Sequence, residues 1–299
     1  MSRPFLPDAF ADVIIAREDS RGASWIAELP TTVDELVRRW DLRVDGDALS
    51  GRVGLILPVR YRGTPAVLKV PFPENRERSE GWALRTLSDR ACVRLFAEDT
   101  ERHALLLERA GPAGPTATLT ADEWIDVAAS IASDLAIPAP ADAPSLADTA
   151  GGWEQQLDQQ VSNAHGLLSD GIVSRARETI RAVGRDDGTT LIHGDLHEGN
   201  VLAARRRPWL AIDPTAVRGP VAWDAFTVCL TRVSDLSAVP DPGEVLRTRL
   251  RRFCRLTASD PEYAIEVAHA RAVSSLLHES AGGGAVFGRA FLERLVRTL

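Results

Sequence analysis

Apolar residues recur along the chain with two different periods, and the change from one to the other divides it. Trp25, Leu29, Val33, Leu36, Val37 and Trp40 fall at helical spacing and predict a helix over 24–40, kinked or restarted at Pro30. From about residue 41 to 70 the pattern becomes that of strands, with Val53–Val59 and Ala66–Val70 flanking the turn-like Tyr61-Arg62-Gly63-Thr64. A helix over 74–88 and strands at Cys92–Phe96 and Ala104–Leu107 follow. Past Gly111 helices dominate. Thr120 and Glu123 fit a capping box ahead of Trp124, Val127, Ala128, Ile131 and Leu135. An Ala/Pro-rich loop at 136–146 is followed by one or two helices over 151–184, with Trp153, Leu157 and Val161 on one face. Two short strands, 201–204 and 209–212, precede helices at 221–234, 243–257, 261–279 and 286–298. Asp260-Pro261 starts the third of these helices, and Gly282-Gly283-Gly284 separates it from the last. A strand-rich part followed by a helical part predicts an α+β fold in two lobes, 1–109 and 110–299.

Composition narrows the class. With 44% apolar and 26% charged residues, neither a disordered chain nor a membrane protein is indicated. Runs such as Leu55-Ile56-Leu57 are too short to span a bilayer, and Val13-Ile14-Ile15, between Asp12 and Arg17, makes a poor leader segment. Cys92, Cys229 and Cys254 lie far apart without a CxxC pair, so a reducing cytoplasm is the simplest home. The net charge of −7 argues against a nucleic-acid partner and is compatible with a cationic small-molecule substrate; no protein partner is indicated. Arg205-Arg206-Arg207 is expected in a hairpin turn, and Arg247, Arg249, Arg251, Arg252 and Arg255 on a solvated helix face.

The chemistry concentrates in His193-Gly194-Asp195-Leu196-His197-Glu198-Gly199-Asn200, with Asp213 ending an apolar run thirteen residues later. Phosphoryl transfer from Mg-ATP needs a carboxylate to orient the attacking hydroxyl and accept its proton. It also needs an amide and a carboxylate for the magnesium, and the kinase catalytic loop separates its Asp and Asn by four residues, as Asp195 and Asn200 are separated here. Asp195 is the candidate base, and Asn200 and Asp213 are the candidate magnesium ligands. Lys69, an ammonium in an apolar strand, needs a partner; phosphates and a helix glutamate supply one, with Glu80 favoured over Glu77. Ser50, Gly51 and Gly54 can bring backbone N–H groups to phosphates, although the full GxGxxG pattern is missing and an ordinary glycine turn fits equally. Glu108 and Ala110 occupy the connection where an adenine would meet backbone groups. His193 is expected to brace the loop, Asp224 to brace it from the next helix, and His197 to face the phosphate or the acceptor. Glu266 and Glu279 are candidates for pairing with a cationic acceptor; both read equally as solvent-facing helix residues, and for Glu266 that reading is favoured.

His-x-Asp-x-His also suits a metallohydrolase, but that reading leaves Lys69, Asn200 and Asp213 without a role. An inert nucleotide-binding module is the other competing class, and it usually lacks a base or metal residue; none is missing here. Only ten residues separate Asp213 from Asp224, too few for an activation segment that docks a peptide, which favours a small-molecule acceptor.

On these residues the chain resembles the aminoglycoside phosphotransferase group, in its streptomycin 6-phosphotransferase and hydroxyurea kinase branch. The resemblance spans roughly 64–226. It rests on Pro65-Ala66-Val67-Leu68-Lys69-Val70, Glu80 with Ala83-Leu84-Arg85, and Val93-Arg94-Leu95-Phe96 with Leu105-Leu106-Leu107-Glu108. Further along it rests on His193–His197 with Asn200-Val201-Leu202, and on Trp209-Leu210-Ala211-Ile212-Asp213-Pro214. It implies a bilobal protein-kinase-like fold, with an antiparallel-sheet N-lobe and a mainly helical C-lobe. It further implies ATP and magnesium as cosubstrates, antibiotic inactivation by O-phosphorylation, and an acceptor pocket formed by helices after 243.

Overall fold

The computed structural model describes residues 8–51, 54–73, 80–164, 166–282 and 287–299; Glu77, Val53, His165, Gly283 and Gly284 lie outside them. The chain forms two compact units, 1–111 with 204–206, and 112–203 with 207–299. Among the described residues no helix is long and apolar enough to cross a membrane.

The first unit contains helix α1 (Asp8–Arg39), strands β1 (Leu42–Val44), β2 (Leu49–Ser50), β3 (Gly54–Tyr61) and β4 (Thr64–Pro71), helix α2 (Glu80–Thr86), and strands β5 (Leu95–Asp99) and β6 (Ala104–Glu108). The sheet order is β1-β3-β4-β6-β5, with β2 also on β3, and every pairing is antiparallel. The two-residue period sorts the faces. Leu55, Leu57 and Val59 of β3 and Ala66, Leu68 and Val70 of β4 are all buried and pack with Ile14, Leu29, Val33 and Leu36 of α1. Arg62 and Gly63 both have positive φ (50° and 78°), so the β3–β4 hairpin closes through a tight turn that needs its glycine.

Two expectations shift here. The helical pattern continues back to Asp8, and its break falls at Asp19 (φ 50°, ψ −129°) rather than at Pro30, which lies inside the helix. Burial of Leu29, Val33 and Leu36 along one side holds the helix through the single backbone bond that Pro30 forfeits. The strand expected at 92–96 pairs instead over Leu95–Asp99. Ala91, Cys92 and Val93 are buried ahead of it, with Cys92 in a single bridge and no strand of their own, so their apolar character reflects burial.

The second unit contains α3 (Ala121–Leu135), β7 (Ile137–Pro138), α4 (Leu146–Asn163), α5 (Asp170–Val183), β8 (Thr190–Ile192), β9 (Val201–Ala203), β10 (Trp209–Ala211) and β11 (Val217–Arg218). It continues through α6 (Ala225–Cys229), α7 (Val233–Ala238), α8 (Pro242–Thr257), α9 (Pro261–Ser280) and α10 (Arg289–Thr298). The Thr120–Glu123 capping box opens α3. The hairpin β9–β10 forms with Leu202 opposite Leu210. The small sheet β11-β8-β7 was not anticipated, because strands of two and three residues carry no readable period.

The helix expected over 221–234 is broken between α6 and α7, where Arg232 takes φ 50°. The carbonyls left without helical partners find others. Trp124 Nε1 donates to Val228 O at 2.9 Å, and Arg249 Nη1 donates to Cys229 O at 3.2 Å and Thr231 O at 2.9 Å. Arg249 is therefore half-buried and engaged, contrary to a wholly solvated arginine face, and Arg252 pairs with Asp126 on α3. Trp124→Phe should destabilise the second unit by about 2–5 kcal/mol, through the orphaned Val228 carbonyl and the space left by the smaller ring, as read by the shift in its denaturant midpoint.

Candidate active site

Strand β8 delivers the chain into the loop 193–200, and the backbone groups around Asp195 are tied. His193 is 1% exposed; its Nδ1 accepts the Asp195 N–H at 3.2 Å, so Nε2 carries the proton and donates to Ile212 O at 3.0 Å. Burial pulls its pKa down to about 4, keeping the ring neutral. Both ring nitrogens are thus committed, which removes His193 as a metal ligand and with it the metallohydrolase arrangement. The His193 carbonyl accepts N–H groups from Thr215 and Ala216, each at 3.0 Å. Gly194 has φ +84°, and a Cβ there would come within 2.9 Å of Val217 Cγ2, so both conformation and space require glycine.

Asp224, 1% exposed, accepts the N–H of Gly194 at 3.3 Å and that of Leu196 at 3.5 Å. The brace expected from the next helix is therefore present. Desolvation raises its pKa to about 7, against the lowering effect of those two N–H groups and of Arg271. Asp195 stands between the two clamped residues with its carboxylate 46% exposed, and His197 Nε2 lies 3.9 Å from its Oδ2. His197 Nδ1 accepts the Gly199 N–H at 3.0 Å, which starts the 3₁₀ turn 198–200.

Asn200 Nδ2 donates to the backbone carbonyl of Asp195 at 3.0 Å, leaving the amide oxygen as the group that can face a cation. The Ile212 N–H donates to Asn200 O at 2.9 Å, so the β9–β10 hairpin returns the chain beside Asn200. Asp213 follows with φ 54° and is exposed. One amide oxygen and one carboxylate, both hard and both close in the chain path, fit magnesium, which takes few protein ligands.

In the first unit, Lys69 is 8% exposed and lies on the face of β4 opposite Leu68 and Val70. Its Nζ is 2.6 Å from Glu80 Oε2, in the first turn of α2. Gly81 allows α2 to lie against Glu98 of β5, since a Cβ would collide with that carboxylate, and Arg85 also pairs with Glu98. The N–H of Gly51 donates to Gly54 O at 2.8 Å, closing the β2–β3 turn, and Ser50 is the exposed end of β2. Glu108 accepts from Arg206 at 2.9 Å and from the Arg94 N–H at 3.1 Å, so its side chain is engaged by the protein; Ala110 follows in irregular chain. Arg206 also donates to the carbonyls of Arg90 and Cys92, so the arginine turn is not simply solvated.

The acceptor candidates fare differently. Glu266 makes a bidentate pair with Arg175 at 2.9 Å, which lowers its pKa, and is not a free solvent-facing residue. Glu279 accepts the N–H groups of Phe287 at 2.8 Å and Gly288 at 3.1 Å, a loop-ordering task other than direct cation pairing. A cavity of about 360 Å³ lies in the second unit, among α4, α9 and the segment 223–227, with Trp153, Trp223, Phe226, Arg271 and Phe287 in its walls. Neither α8 nor α10 lines it, and α4 was not expected there. Trp153 and Trp223 meet edge to face at 6.0 Å. Tryptophans at both positions were the available signal; their meeting was not readable from 70 residues' separation.

The two buried titrating groups of the loop oppose each other with pH. His193, depressed from 6.5 to about 4, stabilises the fold above pH 6.5, and that contribution is lost as pH falls towards 4. Asp224, raised from 3.8 to about 7, favours the fold most below pH 3.8, and that contribution is lost as pH rises through 7. Asp224→Asn removes the second effect, so the melting temperature of the variant should fall more steeply than that of the wild type between pH 6.5 and 4. Parallel pH profiles would refute the buried carboxylate's titration.

The model of the aminoglycoside/hydroxyurea antibiotic resistance kinases matches residues 39–282. Streptomycin 6-kinase of Streptomyces glaucescens is 31% identical over 283 residues, 94% of this chain and 92% of that protein. Hydroxyurea phosphotransferase of Kitasatospora aureofaciens is 35% identical over 72% of this chain and 64% of its own length. Among solved structures, spectinomycin phosphotransferase in complex with ADP and spectinomycin matches with a TM-score of 0.56 at 13% identity, covering 89% of this chain and 93% of that one. The fold is thus protein-kinase-like, with an antiparallel-sheet lobe and a mainly helical lobe. The match to most of the chain and the identity to a nearly full-length relative agree, and the chain belongs to the aminoglycoside/hydroxyurea antibiotic resistance kinase family.

Proposed function

We propose that this kinase transfers the terminal phosphoryl group of ATP to a hydroxyl of a small molecule, with streptomycin as the first acceptor to test. The observation that carries the reading is the clamped loop, which holds the Asp195 carboxylate outward and ties the Asn200 amide to the Asp195 carbonyl. Asp195 takes the proton as the hydroxyl oxygen bonds to the γ-phosphorus; the bond from phosphorus to the β-bridging oxygen breaks, and ADP leaves with that electron pair. Asn200 and Asp213 would hold magnesium, which supplies charge neutralisation on the phosphates. Lys69, held by Glu80, is assigned to the phosphates, and the backbone at Ser50 and Gly51 to their cover. At Glu108 and Ala110 any adenine contact is through backbone, because the Glu108 carboxylate already serves Arg206. We assign His197, whose Nε2 is 3.9 Å from Asp195 Oδ2, to the acceptor hydroxyl, and Glu279 to the acceptor side through its hold on Phe287 at the cavity wall. The 31% identity to a streptomycin 6-kinase supports this acceptor, and the hydroxyurea phosphotransferase relative supports hydroxyurea as the second. Three cysteines, all buried and unbridged, are consistent with a cytoplasmic location where ATP is supplied.

ADP release should be stimulated by streptomycin or hydroxyurea in the wild type. Asp195→Ala should lower that turnover by about 10²–10⁴-fold while nucleotide binding by calorimetry changes little. Lys69→Met should instead act on the nucleotide side, raising KM for ATP. Turnover by Asp195→Ala at the wild-type rate would remove the base assignment, and ATP binding without transfer to either acceptor would favour an inert nucleotide-binding module.

A further inference from the structure

We propose that Arg271 is a specificity-determining residue of the acceptor pocket, donating to an uncharged or anionic oxygen of the acceptor and disfavouring a cationic group there. The inference deepens the reading above and rests on Asp195 being the base.

Arg271 sits in α9 among apolar neighbours, with Ala270, Ala272 and Val273 all buried. Its guanidinium carbon lies 5.1 Å from the centre of the Trp223 ring and 5.0 Å from that of Phe226, and both rings are walls of the 360 Å³ cavity. The flat guanidinium is therefore positioned by two aromatic faces. Its Nη1 is buried and makes no hydrogen bond to any described residue. A buried donor of this kind is costly unless something else accepts from it.

The other donors around the cavity are already used. Trp153 Nε1 donates to Ser274 Oγ at 2.8 Å, and Ser274 Oγ to Ala270 O at 3.1 Å. Thr149 donates to Leu146 O at 2.7 Å, Thr227 to Asp224 O at 3.1 Å, and Trp223 Nε1 to Gly194 O at 3.4 Å. That leaves the guanidinium and the Ser275 hydroxyl to recognise a polar ligand. Among the described lining residues Arg271 is the one charge, and no carboxylate lines the cavity. The hydrogen bond from Trp223 to Gly194, the residue before Asp195, joins this wall to the catalytic loop. Burial lowers the Arg271 pKa, and the charges of Asp195 and Asp224 oppose that lowering.

A pocket of this size takes one ring or a compact molecule. Its chemistry suits a carbonyl, hydroxyl or carboxylate oxygen at Arg271, with apolar or planar surface against Trp153 and Trp223. A polycationic acceptor must turn its ammonium or guanidinium groups away from this end.

The test compares Arg271→Met and Arg271→Lys with the wild-type full chain, using hydroxyurea (uncharged, with a carbonyl) and streptomycin (cationic) as probes. Binding is followed by the change in tryptophan fluorescence, to which Trp153 and Trp223 of the cavity wall contribute among seven tryptophans, and turnover by ADP release. Circular dichroism and ATP binding establish that each variant is folded. Arg271→Met should weaken hydroxyurea binding about tenfold or more, raising KM with a smaller effect on kcat. Streptomycin should lose less, so the affinity ratio shifts towards the cation, and Arg271→Lys should fall between. An unchanged ratio in Arg271→Met, or no binding of either probe to the wild type, overturns the proposal. A shifted ratio without ADP release in the wild type would sustain Arg271 and sink the proposed reaction. ADP release with an unshifted ratio would do the reverse.

Discussion

Asp224 is 1% exposed and its two oxygens accept the N–H groups on either side of Asp195. Carrying a carboxylate out of water is expensive, and the rise of its pKa to about 7 shows desolvation outweighing the bonds it accepts. What the arrangement achieves is fixity. With Gly194 and Leu196 held by one buried group, and Leu196 itself fully buried, the intervening side chain has little choice but to point outward. His193 completes the clamp by tying the Asp195 N–H to the Ile212 carbonyl through a neutral ring. The hairpin that presents Asp213 is thereby fastened to the loop that presents Asp195.

The first unit solves a related problem with a pair instead of a clamp. The two-residue period of β4 turns Lys69 away from the α1 core, where an ammonium would have no partner. Glu80 meets it at 2.6 Å because α2 can lie close to β5 at Gly81. In both units, then, a charged group is kept in place by backbone geometry: a positive-φ glycine in one and a side-chain-free helix contact in the other. Arginine does comparable work elsewhere, since Arg206, Arg249 and Arg175 each engage carbonyls or carboxylates distant in sequence.

Much of this was legible in the chain. The alternation in 54–61 and 64–71, the capping box at Thr120 and the spacing of Asp195, Asn200 and Asp213 each reflect an interaction between residues near in sequence, so the local pattern carries it. The errors have a common cause too. Pro30 was expected to break α1, but contacts from distant strands hold it. Residues 221–234 carry a helical pattern, yet donors from α3 and α8 satisfy a break there. Glu266 and the arginine clusters read as solvated because their partners, Arg175, Glu108 and Asp126, lie 91 to 126 residues away in no recognisable pattern.

The sequence by itself determined the kinds of lobe, the capped helix starts at Thr120 and Asp260 and the candidate reacting groups, since these depend on periodicity, capping and short spacings. Tertiary structure decided which charged groups are buried and which residues line the cavity of the second unit. Trp153, Trp223 and Arg271 come from three separate elements, and only packing brings two indole rings and a guanidinium with a spare donor together. The cost of burying a charge depends on every neighbour at once, and no stretch of sequence contains all of those neighbours.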